Sequence, residues 1–166
     1  MTLILGIDPG LVHTGWGLIN MIGSNLKYVA SGTISPNSKQ STALRIKDIF
    51  TNLSAVISEY KPEESALEET YVNKNAASSL VLGQARGAII LTLAIANLPI
   101  SEYAARLVKK TVVGVGKAEK NQVFEMLKLL LPGAKIDSYD AADAIAVAIC
   151  HANHKKSYNI YKGTKN

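Results

Sequence analysis

Four places in this sequence put carboxylates where carboxylates are usually avoided: Asp8, the pair Glu68-Glu69, Asp140 and Asp143. Asp8 ends the apolar run Leu3-Ile4-Leu5-Gly6-Ile7 and is followed at once by Pro9-Gly10. A short apolar run bounded by Pro-Gly reads as a strand buried on both faces. Pro9 biases Asp8 toward extended geometry and Gly10 lets the chain turn away. The carboxylate then stands at the lip of a sheet, where ligands bind in open α/β folds. In isolation a turn-forming Asp would look the same. Asp140-Ala141-Ala142-Asp143 is sharper. Residues three apart on a helix are neighbours, so these two carboxylates lie side by side. The run that follows (Ala144, Ile145, Val147, Ala148, Ile149) marks the helix as substantially buried, and like charges so placed repel. A divalent cation would resolve the conflict. First-turn acids also favour the helix dipole, which accounts for one acid better than for a pair at a core-facing end. Glu68-Glu69 ends a short strand. Alternation sends the two to opposite faces, so only one can join a common site, and spacing does not say which.

Taken together these are hard, all-oxygen ligands, suited to Mg²⁺ or Mn²⁺ rather than zinc. Two such ions a few ångströms apart activate a water and stabilise the leaving oxygen of a phosphodiester. Phosphate is also what the basic segment suits. Arg106, Lys109, Lys110, Lys117 and Lys120 lie together with Glu119 as the single acid among them. Tyr71 and Lys74 fall in the polar loop after the glutamates, where an aromatic face can stack on bases. A solvated charge run and an ordinary loop tyrosine are the plainer alternatives. His151 and His154, three apart after Cys150, sit at an expected fraying helix end with no further soft ligand. No His with an acidic orienter is evident for a Ser or Cys nucleophile.

The rest of the chain has to hold these groups in place. At 166 residues and 48% hydrophobic it reads as one compact domain. A single cysteine, Cys150, excludes an internal disulfide and a Cys-rich zinc site. With no signal-like start, a cytoplasmic location is expected. The longest apolar run, Ala88 to Ala96, is too short to span a bilayer. The net charge of +5 suits a polyanionic partner.

Segments 13–20 and 27–35, joined by Gly23-Ser24-Asn25, extend the first strand as an antiparallel meander. Gly15 and Gly17 mark a close approach. Ser41 or Thr42 caps a helix with a buried stripe of Leu44, Ile46, Ile49, Phe50, Leu53, Val56 and Ile57. A strand over 65–69 and a helix over 76–97 capped by Asn75 follow. Gly83 and Gly87, one turn apart in that helix, predict close packing or a dimer contact. A strand over 99–103, a helix over 121–131 and a helix from Ser138 to about His154 complete the order. Residues 1–154 form the domain. Residues 155–166 read as a basic C-terminal tail that frays. The order predicts an α/β fold, a mixed sheet flanked by helices.

At this point the chain strongly resembles the RuvC family, Holliday-junction endonucleases of the ribonuclease H-like superfamily. The resemblance is carried by Gly6-Ile7-Asp8-Pro9-Gly10 with Thr14-Gly15, Ala66-Leu67-Glu68, and Lys74-Asn75 with Leu82-Gly83-Gln84-Ala85-Arg86-Gly87. Glu102-Tyr103-Ala104-Ala105-Arg106 through Gly114, and Asp140-Ala141-Ala142-Asp143-Ala144, complete it. It implies a ribonuclease H-like five-stranded mixed sheet. It implies that Asp8, Glu68, Asp140 and Asp143 are the catalytic and metal-binding carboxylates, which chooses Glu68 over Glu69. Two Mg²⁺ ions per site are implied, with Mn²⁺ able to substitute, and hydrolysis to a 5′-phosphate and 3′-hydroxyl. It also implies that Lys109 and Lys120 are the important lysines, and that Tyr71 stands where the family often carries a junction-contacting Phe. A homodimer making paired symmetric nicks across a four-way junction, in recombination and repair, is implied with it, as is a RuvA–RuvB branch-migration partner. A catalytically silent junction binder fits the full carboxylate set poorly. Asp8 followed by glycines is also similar to the first phosphate loop of actin-like ATPases, which need a second such domain.

Overall fold

The computed structural model describes residues 1–69 and 75–163, with side chains through Lys155. Tyr71 and Lys74 therefore lie outside the described residues. Five strands form one sheet: β1 (Thr2–Asp8), β2 (Thr14–Ile22), β3 (Asn25–Ile34), β4 (Glu64–Glu69) and β5 (Ile100–Ala104). Their order is β3-β2-β1-β4-β5. The first three form the expected antiparallel meander, and β4 and β5 continue it in parallel to β1. The helices are α1 (Thr42–Tyr60), α2 (Ala76–Ile95), α3 (Ala105–Val113), α4 (Lys120–Leu130) and α5 (Tyr139–Gly163).

A sheet buried on both faces needs apolar residues at both parities of its central strands. Here the parities divide cleanly. Leu5, Ile7, Leu18 and Leu67 pack with Ile49 and Leu53 of α1 and with Ala85, Ile89 and Leu93 of α2. Ile4, Ile19 and Ala66 pack on the other face with α3, α4 and α5. That second face is built from small residues where α5 crosses it. A Cβ added to Gly6 would lie 2.1 Å from the Ala144 carbonyl oxygen, and one on Gly15 would lie 2.0 Å from that of Asp140. Glycine at these positions lets the helix backbone rest on the strands.

Several expectations change. The stripe on α1 is narrower than its periodicity predicts: Leu44 is 48% and Phe50 39% exposed. At 100° per residue Leu44 falls opposite Leu53, away from the sheet. The helix at 76–97 stops at Ile95, because Asn97 takes a left-handed conformation (φ 54°). The basic segment contains a helix that was not expected, α3, held by Val108 and Val112 one turn apart and stopped by Gly114 at φ 90°. By length and composition alone α2 is apolar enough to cross a membrane, a helix of 20 residues with mean hydropathy 1.5. The 88–96 run underestimates it. Its inner face nevertheless lies in the core, with Ala85, Ile89, Thr92 and Leu93 buried.

The largest difference is at the C-terminus, where α5 runs to Gly163 instead of ending near His154. His151 is buried, not frayed. Its Nε2 lies 2.8 Å from Glu64 Oε2 and its Nδ1 2.9 Å from the Tyr103 hydroxyl, while Lys155 pairs with the other Glu64 oxygen. Burial pushes the Glu64 carboxyl up, but hydrogen bonds from Lys155 and His151 outweigh it and leave the pKa below its ordinary 4.5. This clasp fixes the middle of α5 to the start of β4. Glu64→Ala is expected to lower Tm at pH 7 by roughly 2–6 °C, from the loss of about 1–2 kcal/mol of charge-assisted bonding. A carboxylate with a depressed folded pKa contributes stability above its unfolded pKa and loses it as pH falls through the folded value. The gap between wild type and variant should therefore close below about pH 4.5 in thermal melts.

Candidate functional site

The site lies where β1 and β4 end. The parallel register pairs Ile7 with Leu67, so Asp8 and Glu68 leave the sheet at the same level. Parity fixes their face. Asp8 follows Gly6, and Glu68 follows Ala66, on the side covered by α5; Glu69 shares the parity of Leu67 on the α1–α2 side. Glu68, and not Glu69, therefore shares the face of Asp8.

The turn after Asp8 is tight. Thr14 Oγ1 donates to the Gly10 carbonyl at 2.6 Å, and a Cβ on Gly10 would meet the His13 carbonyl oxygen at 2.2 Å. The remaining carboxylates arrive from α5. Ser138 Oγ accepts from the Ala141 amide at 3.0 Å, as expected of its N-cap, and is held by Thr33 Oγ1 of β3 at 2.6 Å. That anchor, with Gly15 beneath Asp140, lays the first turn of α5 over the start of β2 and carries Asp140 and Asp143 toward Asp8.

The electrostatics record this convergence. Burial, then the charges of Glu68, Asp143 and Asp140, push the Asp8 pKa from 3.8 up to about 8, with Lys120 opposing. Burial and Asp143 push Glu68 from 4.5 up to about 7, opposed by Lys109 and Lys120. Four acids therefore share one field, and Lys120 is the cation in contact with it, its Nζ 3.1 Å from Asp143 Oδ2. The hydrogen bond that Lys120 donates to Asp143 raises the Lys120 pKa in turn. Clustered acids in a cleft with raised pKa values are a common mark of a functional site.

Among the described residues no three His, Cys, Asp or Glu side chains close into a ready-made cage. What the site has is an all-oxygen donor set on three separate elements, half-buried and short of positive charge. That chemistry fits a hard divalent cation.

The basic segment divides. Lys109 on α3 and Lys120 at the start of α4 act on the carboxylates. Arg106, Lys110 and Lys117 instead line a separate cleft of about 810 Å³ with Leu107, Val115 and Gly116. One residue that sequence reasoning missed is Arg86. Its Nη1 donates to the Glu68 carbonyl at 2.7 Å and its Nη2 to Glu102 Oε2 at 2.5 Å, tying the end of β4 to β5. The available signal was its position as the only charge in the apolar stretch 76–95.

This sheet order, with helices on both faces and acids gathered at one end of β1 and β4, defines a ribonuclease H-like protein. The yeast mitochondrial Holliday junction resolvase shares the fold at 12% identity, with a TM-score of 0.71 over 97% of this chain and 82% of that one. The profile for "Crossover junction endodeoxyribonuclease RuvC" matches residues 4–151. The RuvC of Gluconobacter oxydans is 53% identical over 95% of this chain and 94% of its own length. That of Brucella anthropi is 50% identical over 93% and 90%. The Thermus thermophilus RuvC, solved in complex with Holliday junction substrate, superposes with a TM-score of 0.87 at 25% identity, covering 95% of this chain and 96% of that one. The chain belongs to the RuvC family of crossover junction endodeoxyribonucleases.

Proposed function

We propose that this protein is a Mg²⁺-dependent endonuclease that resolves four-way DNA junctions by paired symmetric nicks, one per protomer of a homodimer. The observation that carries this is the meeting of Asp8, Glu68, Asp140 and Asp143 in one under-neutralised field, in a RuvC-family chain. The junction complex of the Thermus relative supports the choice of substrate. Asp8, Glu68, Asp140 and Asp143 would hold two metal ions, Mg²⁺ or Mn²⁺. Bound there, such ions supply Lewis-acid charge at the scissile phosphate and lower the pKa of water.

The chain's own groups do the rest. β1, β4 and α5 fix the carboxylates on rigid elements. Lys109 and Lys120 bring positive charge to phosphate oxygens at the edge of the acidic cluster, and Lys120 exchanges its contact with Asp143 for one with DNA. Arg86 positions Glu68 through its backbone carbonyl. Tyr71 and Lys74 are assigned to junction contacts from the sequence alone. Recombination and repair in the cytoplasm, with a RuvA–RuvB partner, completes this reading.

The separation of the two glutamates gives a direct test. Glu68→Gln is expected to slow single-turnover junction nicking by about 10²–10³-fold, and Glu69→Gln by less than about 3-fold. Equal losses would remove Glu68 from its role.

The dimer surface we assign is the outer face of α2. Leu80, Gly83, Gly87, Leu91 and Ile95 follow one another at helical spacing, and Leu80, Leu91 and Ile95 are more than half exposed. A Cβ on Gly83 or Gly87 would meet nothing within 4 Å. The glycines therefore serve no packing within the described chain, which leaves close approach of a second copy as their use. Leu91→Asp should shift the species seen by light scattering from dimer to monomer and remove paired nicking, since one site then acts alone.

A further inference from the structure

The cleft lined by Arg106, Lys110 and Lys117 has no part in the carboxylate site, and no carboxylate lines it. Arg106 and Lys110 stand one turn apart on α3, with Lys109 turned about 60–100° away around the same helix. Among the described residues, none of the three cations has an ion-pair partner. Of the acids nearby in sequence, Glu102 pairs with Arg86, and Glu119 belongs to the start of α4, where Gln122 holds its backbone amide at 2.9 Å.

The cleft is built, not merely charged. The 114–117 loop crosses directly over the stem of Arg106. A Cβ on Gly116 would lie 2.6 Å from Arg106 Cγ and 3.2 Å from the Arg106 carbonyl oxygen. Glycine there lets the loop close on the arginine and restricts the rotamers of its side chain, so less entropy is lost when the guanidinium binds an oxyanion. Leu107 and Val115, 37% and 56% exposed, add an apolar wall of the size a deoxyribose can cover. The C-terminus of α3 opposes an anion with about half a negative charge. Three full positive charges outweigh it, and Lys110 sits in that last turn.

We propose that this cleft is a second phosphate site, which grips a backbone phosphate of the bound DNA other than the one being cut. α3 then acts as a rigid spacer, with Lys109 at the cutting site and Arg106 and Lys110 at the second grip. The inference rests on the junction-nuclease reading above and deepens it: one basic segment serves two phosphates with two separable roles.

Junction binding is measured by fluorescence anisotropy across a salt series with Ca²⁺ in place of Mg²⁺, and nicking by single turnover at saturating enzyme with Mg²⁺. The proteins are wild type, Arg106→Ala/Lys110→Ala/Lys117→Ala and Gly116→Ala. The triple variant should bind about 10-fold more weakly or worse near physiological salt, with the slope of log K against log salt reduced by about 1 for each phosphate no longer gripped. Its nicking rate at saturation should stay within about 3-fold of wild type. Gly116→Ala changes no charge, yet should weaken binding several-fold because it lifts the loop from Arg106. Lys110→Arg/Lys117→Arg should keep the wild-type affinity, separating loss of charge from loss of folding. An unchanged salt slope in the triple variant overturns the site. An unaffected Gly116→Ala also overturns it, by reducing the cleft to a diffuse charged face. A nicking rate that falls at saturation puts these residues in the chemistry and contradicts the division of roles. Asp8→Asn run alongside keeps the two readings apart. If wild type makes no metal-dependent nicks, the nuclease reading fails whatever the triple variant binds.

Discussion

Asp8→Asn is expected to reduce junction nicking by at least about 10³-fold while making the metal-free protein more stable. The loss follows from removing the carboxylate around which the other three are arranged. The gain follows from the same crowding. Asp8 holds its proton more tightly in the folded state than in the unfolded, with a pKa raised from 3.8 to about 8. Such a group contributes stability that is fully present below the unfolded pKa and is lost as pH rises through the folded one. Glu68 acts in the same direction between 4.5 and about 7. Metal-free wild type should therefore lose stability steadily from about pH 4 to pH 8, and Asp8→Asn should lose less. At pH 8 the variant should melt about 4–8 °C higher, corresponding to ~2 kcal/mol of relieved repulsion. Excess Mg²⁺ should raise the wild-type Tm by mass action and leave the variant nearly unmoved. Differential scanning fluorimetry across pH, with and without Mg²⁺, reads all of this. A variant less stable than wild type at pH 8 would mean that the acids are not in conflict.

Gly6→Ala and Gly15→Ala are expected to be the most damaging single-methyl additions in the chain. Each new Cβ would stand about 2 Å from a backbone oxygen of α5, of Ala144 or of Asp140. Carbonyl groups inside a helix do not rotate away, so α5 must move by more than an ångström or the strand must buckle. Overpacking of this kind costs about 3 kcal/mol or more, a fall in Tm of roughly 6–12 °C. Gly15→Ala acts at the first turn of α5 and so also displaces the Asp140–Asp143 pair. Misplacement by about an ångström is enough for a 10²-fold loss of rate. Gly87→Ala gives the contrast within one protein. Its Cβ enters open space, and glycine in a helix interior costs up to about 1 kcal/mol relative to alanine, so the isolated fold should be unharmed. Circular-dichroism melts of the three variants separate these outcomes.

The glycines show how the sequence carried the fold and where it stopped. Gly15 and Gly17 inside a strand announce a close approach, and α5 is what approaches. Gly83 and Gly87 announce the same thing, but nothing in the described chain answers. Asp8 and the Asp140–Asp143 pair could be picked from position alone, because acids beside apolar runs are expensive unless something compensates. The choice of Glu68 over Glu69 came only from resemblance, although a local cue existed. The parity holding Gly6 and Ala66 had to be the side on which a helix packs close, and Glu68 shares it. α3 was hidden because its short run carries Arg106, Lys109 and Lys110 around its two buried valines, so charge masked the Val108–Val112 spacing. The clasp of α5 onto β4 joins Glu64, His151 and Lys155, strand and helix residues 87 or more positions apart. No local periodicity encodes it.

The decisive measurement is cleavage of a labelled synthetic four-way junction beside a linear duplex of the same sequence, with and without Mg²⁺, by wild type and Asp8→Asn. Symmetric nicks confined to the junction, requiring metal and abolished in a variant that still binds, are the predicted result. Binding without cleavage in both Mg²⁺ and Mn²⁺, or equal cleavage of the linear duplex, would contradict it.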